Sequence, residues 1–245
     1  MLFRSTSPKS IAPLISIAGA KIKAVKRRGK FMWVELDRPE VLVAHLGMSG
    51  QLLIKKSSEP AEKHLRVRLD LGSFELRFID QRTFGWLSVE STIDGIPQCA
   101  SHIALDPFDE AFSVNETITR FLSRRTEIKR ALLDQEIMSG VGNIYADEAL
   151  WYARIHPEAI ACELTSTQIL NVVTAAQKVM QRALKAGGTS FDELYINVNG
   201  ESGYFERSLA VYGREGEPCR RCGGEISRIA FANRSSRFCP ACQNR

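Results

Sequence analysis

The first third of the chain alternates apolar and polar residues over short segments. In Leu65-Arg66-Val67-Arg68-Leu69 every second side chain is apolar, which is the period of a strand with one buried face. Gly72-Ser73 and similar breaks separate these segments and favour tight turns. The pattern predicts short strands at residues 21–28, 31–36, 41–46, 51–54, 65–71, 74–79 and 86–89. A lobe built from such strands is a β-sandwich or a barrel.

The hydrophobic period lengthens from about residue 106 and becomes that of amphipathic helices. It predicts helices at residues 112–122, 127–135 and 144–153, followed by a longer one that opens with a capping-box pattern at Thr165 and Gln168. Residues 191–205 are rich in Asn, Gly and Ser, which predicts a mobile surface loop. The chain is therefore predicted to be α+β, with a strand lobe at residues 1–105, a helical domain at 106–205 and a C-terminal segment at 206–245.

A tight turn, Gly140-Val-Gly-Asn143, joins the second and third predicted helices. We expect Gly140 and Gly142 to allow positive φ and the close approach of another backbone, and Asn143 to cap the helix that follows. Unpaired N–H groups at the positive end of a helix dipole suit a phosphate oxygen. The motif alone leaves a second interpretation open, in which the glycines serve only the packing of a helical hairpin.

Composition and charge narrow the class of protein. With 245 residues, of which 44% are hydrophobic, the chain can form a sizeable core. It contains neither an apolar run long enough to span a bilayer nor a secretory signal pattern, so we expect no membrane association and a cytoplasmic location. The net charge of +5 is concentrated at the two ends, since residues 1–30 hold no acid and residues 214–245 are rich in arginine. Two basic clusters, one in each half, predict a bound polyanion.

Four cysteines near the C-terminus form two C-x2-C pairs, Cys219 with Cys222 and Cys239 with Cys242. Each pair presents two thiolates from one tight turn, and two such pairs can surround a tetrahedral metal ion. The alternative is a pair of disulfides, which is unusual in a chain without a secretory signal. The spacing therefore predicts one structural Zn²⁺ that holds a hairpin displaying Arg228, Arg234 and Arg237.

Several motifs in order along the chain resemble the bacterial formamidopyrimidine-DNA glycosylase and endonuclease VIII superfamily. They are Arg27-Arg-Gly-Lys30, His45-Leu-Gly-Met-Ser-Gly50, Lys63-His64, Arg82-Thr-Phe-Gly85, Ile128-Lys129, Gly140-Val-Gly-Asn143, Gly203-Tyr-Phe205 and Asn233-Arg234. Phe84 and the loop before Gly203 resemble the formamidopyrimidine branch more closely. The resemblance implies an antiparallel β-sandwich lobe, a helical lobe with a helix-two-turns-helix motif, and a zinc-finger β-hairpin with four cysteine ligands.

The resemblance also implies a DNA site that holds oxidised bases or abasic sites of duplex DNA. In such a site Lys30, His45, Asn143 and Arg234 hold phosphates around a flipped nucleotide, and Lys30 and Arg234 assist the elimination steps. Met48, Arg82 and Phe84 fill the hole that the nucleotide leaves, a role that offsets the cost of unstacking. His64 and Arg124 match further DNA-contacting positions, and Lys129 matches a lysine close to the lesion. A monomer is expected.

The first residues depart from the family pattern. Family members begin Met-Pro-Glu-Leu-Pro-Glu, where the proline amine attacks the sugar, whereas the sequence here begins Met1-Leu2-Phe3-Arg4. We therefore expect an N-terminally truncated member that binds damaged DNA and has lost normal glycosylase chemistry. The alternative is an active glycosylase and abasic-site lyase, either with an upstream start or with an amine supplied by Lys129 or Lys30 whose pKa is lowered by burial and neighbouring charge. An RNA-binding zinc hairpin would suit the basic ends but not Met48, Arg82 and Phe84.

Overall fold

The computed structural model describes residues 3–5, 12–188 and 205–244. The described chain divides into two compact units, one ending at His102 and one formed by Ile103–Ala186 together with the segment from Phe205 onward. Most of the predicted loop at 191–205, including Gly203 of the Gly-Tyr-Phe motif, lies outside the described residues. In the part of the chain that is described, no helix has both the length and the apolar character needed to cross a bilayer.

The first unit contains two four-stranded antiparallel sheets. Its segments are β1 Phe3–Ser5, α1 Ala12–Ile15, β2 Ile22–Arg28, β3 Phe31–Leu36, β4 Val41–His45, β5 Gly50–Lys56, β6 Leu65–Asp70, β7 Phe74–Asp80, β8 Trp86–Glu90, β9 Thr92–Ile93 and β10 Ile96–Pro97. The strand orders of the two sheets are β2-β3-β4-β8 and β1-β6-β7-β5. Val34, Leu42, Val67 and Phe78, from both sheets, share one buried core, and this confirms the predicted sandwich lobe.

Alternation places the strands of the sandwich correctly. In β6 the apolar residues Val67 and Leu69 are buried, while Arg66 and Arg68 between them are partly exposed. The sequence did not predict β1, which pairs antiparallel with β6 through three residues, nor α1, whose Leu14 lies in the core. Both segments are too short to carry a recognisable period.

In its described residues the second unit contains four α-helices, two single-turn 3₁₀ helices and one hairpin. The helices are α2 Val114–Leu122, α3 Ile128–Leu133, α4 Asn143–Ala153 and α5 Ser166–Lys185, and the hairpin strands are β11 Ser227–Phe231 and β12 Arg234–Phe238. The predicted capping box of α5 is confirmed, because the Thr165 side chain accepts from the Gln168 N–H and the Gln168 side chain accepts from the Thr165 N–H. The apolar stripe of α5 packs on α4 and completes the core of this unit.

The turn between α3 and α4 differs in detail from the expectation. Gly140 has a φ of +90°, a backbone conformation that L side chains rarely adopt, so glycine is favoured at this position. Gly142 is extended, with a φ of −108°, and it occupies the N-cap position of α4. The expected cap by Asn143 is wrong, because Asn143 is already the first helical residue and its side chain amide points to the hairpin instead.

Candidate nucleic-acid interface

Three exposed side chains, Met48, Arg82 and Phe84, lie on two neighbouring loops of the first unit. Met48 is 53% exposed and Phe84 is 58% exposed, although large apolar side chains usually avoid water. The two loops are held from below by Asp80, which is fully buried. Its carboxylate accepts from Ser49 Oγ at 2.5 Å, from the Arg82 N–H at 3.2 Å and from the Gly85 N–H at 2.7 Å. The hydrogen bonds to Asp80 therefore form a rigid base for the two loops, from which the side chains of Met48, Arg82 and Phe84 extend into solvent.

Glycines allow the two loops to touch. A Cβ on Gly47 would lie 2.6 Å from the backbone carbonyl of Phe84, and its φ of +59° is also one that favours glycine. A Cβ on Gly85 would lie 2.9 Å from the carbonyl oxygens of His45 and Leu46. Only backbone without side chains can pack this closely. The spacing of Met48 and Phe84 is therefore fixed by direct contact between main chains.

Lys30 and His45 lie together in a separate pocket of the first unit, with a volume of about 370 Å³. Phe31 and Trp86 flank the His45 ring, at centroid distances of 5.0 and 5.9 Å. The Gly47 N–H donates to His45 Nδ1 at 3.2 Å, so Nδ1 carries no proton and Nε2 carries it when the ring is neutral. Burial, and then the charge of Lys30, lower the pKa of His45. The pocket thus combines an exposed ammonium with a neutral imidazole donor.

His64 lies in the first unit and Arg124 in the second, and both are distant in sequence from Lys30 and His45. His64 is half-buried at the end of a loop that is held by Arg77, whose fully buried guanidinium donates to the carbonyls of Pro60 and Glu59 at 2.6 and 2.8 Å. Arg124 is exposed and lies 4.0 Å from the Asp134 carboxylate. Arg124 and Arg234 both border one open concavity of the second unit, with a volume of about 510 Å³.

Asn143 and Arg234 lie close together in the second unit. The Asn143 amide donates to the backbone carbonyl of Ser235 at 3.3 Å, and Ser235 is the neighbour of the exposed Arg234. The helix-two-turns-helix and the hairpin are therefore joined at the point where both candidate phosphate ligands lie.

Lys129 is buried in the same region. Its ammonium lies 2.7 Å from an Asp147 carboxylate oxygen, and both side chains have no exposed surface. It also donates to the Ser235 carbonyl at 3.0 Å. Burial lowers the pKa of Lys129, while the Asp147 carboxylate acts in the opposite direction. The expected lowering of this pKa is present, but the amine faces the protein interior rather than solvent.

The hairpin presents fewer free arginines than the sequence predicted. Arg234 is exposed at its tip, whereas Arg237 is ion-paired with Glu215 at 3.2 Å and lies over the Tyr212 ring at 4.4 Å. Arg228 is exposed but also pairs with Glu215, at 3.4 Å. The expectation that all three are displayed for a ligand is therefore wrong for Arg237, whose guanidinium stabilises the base of the hairpin.

The sulfur atoms of Cys219, Cys222, Cys239 and Cys242 all lie within 4.8 Å of one another. A tetrahedral zinc site with Zn–S bonds of ~2.3 Å separates its sulfur atoms by ~3.8 Å, so this set fits the ion. Cys219 Sγ also accepts from the Trp151 indole N–H at 3.4 Å and from the Arg221 N–H at 3.5 Å, contacts that stabilise a thiolate. These cysteines hold one structural zinc ion, as the spacing predicted.

Sequence reasoning missed the acids of α4. Asp147 and Glu148 are each 1% exposed. Asp147 accepts from Ser236 and Arg237 of the hairpin itself, whereas Glu148 contacts the segment that leads into the hairpin. Glu148 accepts from the N–H groups of Ala210, Val211 and Tyr212 at 2.8, 2.8 and 3.0 Å. The available signal was two consecutive acids inside an otherwise apolar helix, which predicts buried carboxylates with partners elsewhere in the fold.

Three models of known families match successive parts of the chain. Residues 1–87 match the formamidopyrimidine-DNA glycosylase N-terminal domain, residues 103–193 the formamidopyrimidine-DNA glycosylase H2TH domain, and residues 216–245 a zinc finger found in FPG and IleRS. These matches define a DNA-repair protein with a sandwich lobe, a helix-two-turns-helix domain and a zinc finger. The chain belongs to the formamidopyrimidine-DNA glycosylase family, which confirms the resemblance.

Curated relatives named formamidopyrimidine-DNA glycosylase are similar over most of the chain. The protein of Nocardioides sp. is 54% identical over 232 residues, which cover 93% of this chain and 79% of that protein. The protein of Acidothermus cellulolyticus is 55% identical over 229 residues, which cover 93% of this chain and 81% of that protein.

Solved structures of Lactococcus lactis Fpg share the fold. A mutant in complex with Fapy-dG containing DNA superposes with a TM-score of 0.89 at 32% identity, covering 99% of this chain and 91% of that one. A complex with DNA that contains an abasic site gives a TM-score of 0.88, also at 32% identity and with the same coverage. In both structures the bound DNA carries a lesion.

Proposed function

We propose that this chain recognises oxidised bases or abasic sites in duplex DNA, and that recognition rather than base excision is its main role. The observation that carries the proposal is the exposed trio of Met48, Arg82 and Phe84 on a rigid base. Extruding a nucleotide costs a few kcal/mol of unstacking, and an apolar wedge with a cation can offset this cost. The complexes of the Lactococcus lactis relative with lesion-containing DNA support the same ligand class.

The remaining DNA contacts combine charge with neutral donors. We assign Lys30, His45, Asn143 and Arg234 to phosphates, and His64 and Arg124 to contacts further along the backbone. The contact between the Gly47 N–H and His45 Nδ1 supports this assignment, because it leaves Nε2–H as a donor. Phosphate contacts position the duplex without reading its sequence. Lesion selectivity then rests on the wedge residues Met48, Arg82 and Phe84.

The surroundings of Lys129 argue against its use as a substitute nucleophile. Imine formation needs an amine that can reach the sugar, but this side chain has no exposed surface and is paired with Asp147. Lys30 is exposed and stays the second candidate for that role. A second function, an active glycosylase and abasic-site lyase assisted by Lys30 and Arg234, is favoured by the relatives named formamidopyrimidine-DNA glycosylase that are 54% and 55% identical.

One chain carries every position assigned to DNA contact, so we expect a monomer to bind its site. A damage-recognition protein of a bacterial family acts on the chromosome, and we therefore expect it at the nucleoid. Size-exclusion chromatography with light scattering, with and without an abasic-site duplex, tests the stoichiometry. A dimer on a single lesion would contradict this expectation.

Gel shifts and borohydride trapping separate recognition from chemistry. Purified protein is titrated with three matched duplexes that contain 8-oxoguanine, an abasic site or no lesion. We expect a preference for the lesion duplexes of at least about tenfold and no trapped covalent band. One altered base pair in a protein–DNA site typically changes the binding free energy by roughly 1–3 kcal/mol, and tenfold lies in that range. Equal affinity for the three duplexes would contradict the proposal, and a trapped band would support the active enzyme.

Two arginines of the hairpin provide a matched pair of variants. Arg234→Ala removes the exposed arginine assigned to a phosphate, whereas Arg228→Ala removes an exposed arginine that pairs with Glu215. We expect the first change to weaken binding to all duplexes and to reduce the salt dependence by about one counterion, and the second to have a smaller effect. Similar losses for both variants would contradict the assignment of Arg234.

A further inference from the structure

Three consecutive residues of β12 are held by side chains from the helices of the second unit. Lys129 of α3 and Asn143 of α4 both donate to the Ser235 carbonyl, at 3.0 and 3.3 Å. Asp147 of α4 accepts from Ser236 Oγ at 2.8 Å and from the Arg237 N–H at 3.0 Å. These contacts begin at the residue that directly follows Arg234.

Lys129 and Asp147 form the centre of this network, and neither has exposed surface. A buried ion pair adds little net stability, because the desolvation of two charges offsets their attraction. An apolar pair of the same volume would fill the space as well. The two charges instead fix geometry, because charge-assisted hydrogen bonds hold their partner groups within narrow distances and angles.

The ammonium is satisfied within the protein. It contacts the Asp147 carboxylate, the Ser235 carbonyl and the face of the Phe231 ring, whose centroid lies 5.2 Å away. Phe231 belongs to β11 and Ser235 to β12, so Lys129 contacts both strands of the hairpin close to the turn that bears Arg234. A group that is this enclosed can act on DNA only through its neighbours.

We propose that Lys129 is a positioning residue that, with Asp147, fixes the β11–β12 hairpin so that Arg234 meets a DNA phosphate. This inference rests on the proposed function, because it assumes that Arg234 contacts DNA. It assigns Lys129 a role in binding geometry and gives it no covalent step. Loss of the ammonium leaves the Ser235 carbonyl with the Asn143 amide as its one remaining side-chain donor among those described above, and the hairpin tip then samples orientations in which Arg234 misses the phosphate.

The test is a double-variant cycle in full-length, zinc-loaded protein with an abasic-site duplex. We expect Lys129→Met to weaken binding about tenfold and to reduce the salt dependence by about one counterion, as Arg234→Ala does. The protein with both changes is expected to bind no more weakly than Arg234→Ala alone, because Lys129→Met acts through the phosphate contact that Arg234→Ala has already removed. Lys178→Met, a change of an exposed lysine on α5, is the matched control. Additive losses, or an unchanged salt dependence in folded Lys129→Met, would overturn the proposal.

A second variant distinguishes a loss of hairpin positioning from misfolding of the protein. Lys129→Met leaves Asp147 as an unpaired buried charge, so Lys129→Met combined with Asp147→Asn restores neutrality while keeping an acceptor for the Arg237 N–H. Zinc content and thermal unfolding report folding of both proteins. The combined variant is expected to regain stability but not DNA affinity. Recovery of full affinity would overturn the positioning role and leave Lys129 as a stabilising residue only.

Hydrogen exchange in the absence of DNA separates this proposal from the proposed function. In Lys129→Met we expect the amides of Ser236 and Arg237 to exchange faster than in the parent protein, while those of α5 are unchanged. Unchanged exchange in the hairpin would overturn the inference even where DNA binding persists. Faster exchange in a protein that shows no preference for lesion duplexes would contradict the proposed function and leave the hairpin geometry supported.

Discussion

The two units hold their candidate DNA-contacting side chains by different physical means. In the first unit, Met48 and Phe84 extend from loops whose main chains touch at Gly47, above the buried carboxylate of Asp80. In the second unit, Arg234 extends from a hairpin that is held by buried charges and by a zinc ion. Where main chains pack directly against each other, an added side-chain atom destabilises the structure. Where charges and a metal ion hold the structure, removal of a charged group or a metal ligand destabilises it. The two regions should therefore respond to opposite kinds of substitution.

The largest effect is expected from loss of the metal in the second unit. Cys219→Ser removes a ligand of the zinc ion and the sulfur that accepts from Trp151. We expect the second unit to lose on the order of 5 kcal/mol of stability and its bound zinc, because the energy of metal binding is part of its folding energy. Zinc analysis and thermal unfolding provide the measurement. Cys162→Ser, a change of an exposed free cysteine, is the control and should leave both unchanged.

A single added methyl group should disrupt the first unit. Gly47→Ala places a Cβ 2.6 Å from the Phe84 carbonyl at a φ of +59°, and we expect a loss of about 3 kcal/mol. Gly72→Ala is the matched control, because Gly72 also has a positive φ of +94° but nothing lies within 4 Å of its Cβ position. Urea unfolding measures both. Equal losses would show that backbone strain, rather than contact between the loops, determines the cost.

The wedge should affect binding and leave stability intact. Phe84→Ala removes a side chain that is 58% exposed, so the free energy of unfolding should change little. Affinity for an abasic-site duplex should fall about tenfold, because the unstacked neighbours of the lesion lose their contact. Phe74→Ala, a change of a phenylalanine that is 47% exposed at the start of β7, is the control. Equal losses of affinity would point to a general apolar effect.

The sequence was most informative where its signal is local. The alternation of Val67 and Leu69 predicted β6, the spacing of the cysteines predicted the zinc site, and Thr165 with Gln168 predicted the capping box. Each of these signals lies within a few residues, so the physics that produces the structure can be read in one stretch of chain.

Long-range contacts could not be predicted in the same way. Lys129 and Ser235 are 106 residues apart, and no local period indicates that they meet. The cap assigned to Asn143 was wrong for the same reason, because its amide is used by Ser235. The display of Arg237 was wrong because Glu215 and Tyr212 pair with it in the fold. In each case tertiary hydrogen bonds or ion pairs override the local preference.

The smallest expected effect concerns pH and the first unit alone. Burial and the charge of Lys30 lower the pKa of His45 below its ordinary value of 6.5, so the unfolded chain takes up the proton at a higher pH than the folded protein. Stability is therefore greatest above about pH 6.5 and falls as the pH drops toward the folded pKa. Urea unfolding between pH 7.5 and 5 should show this decline, and His45→Gln should reduce it. Lys30→Gln should reduce it only in part, because burial is the larger cause and remains in that variant. A decline that is the same in all three proteins would contradict this account of His45.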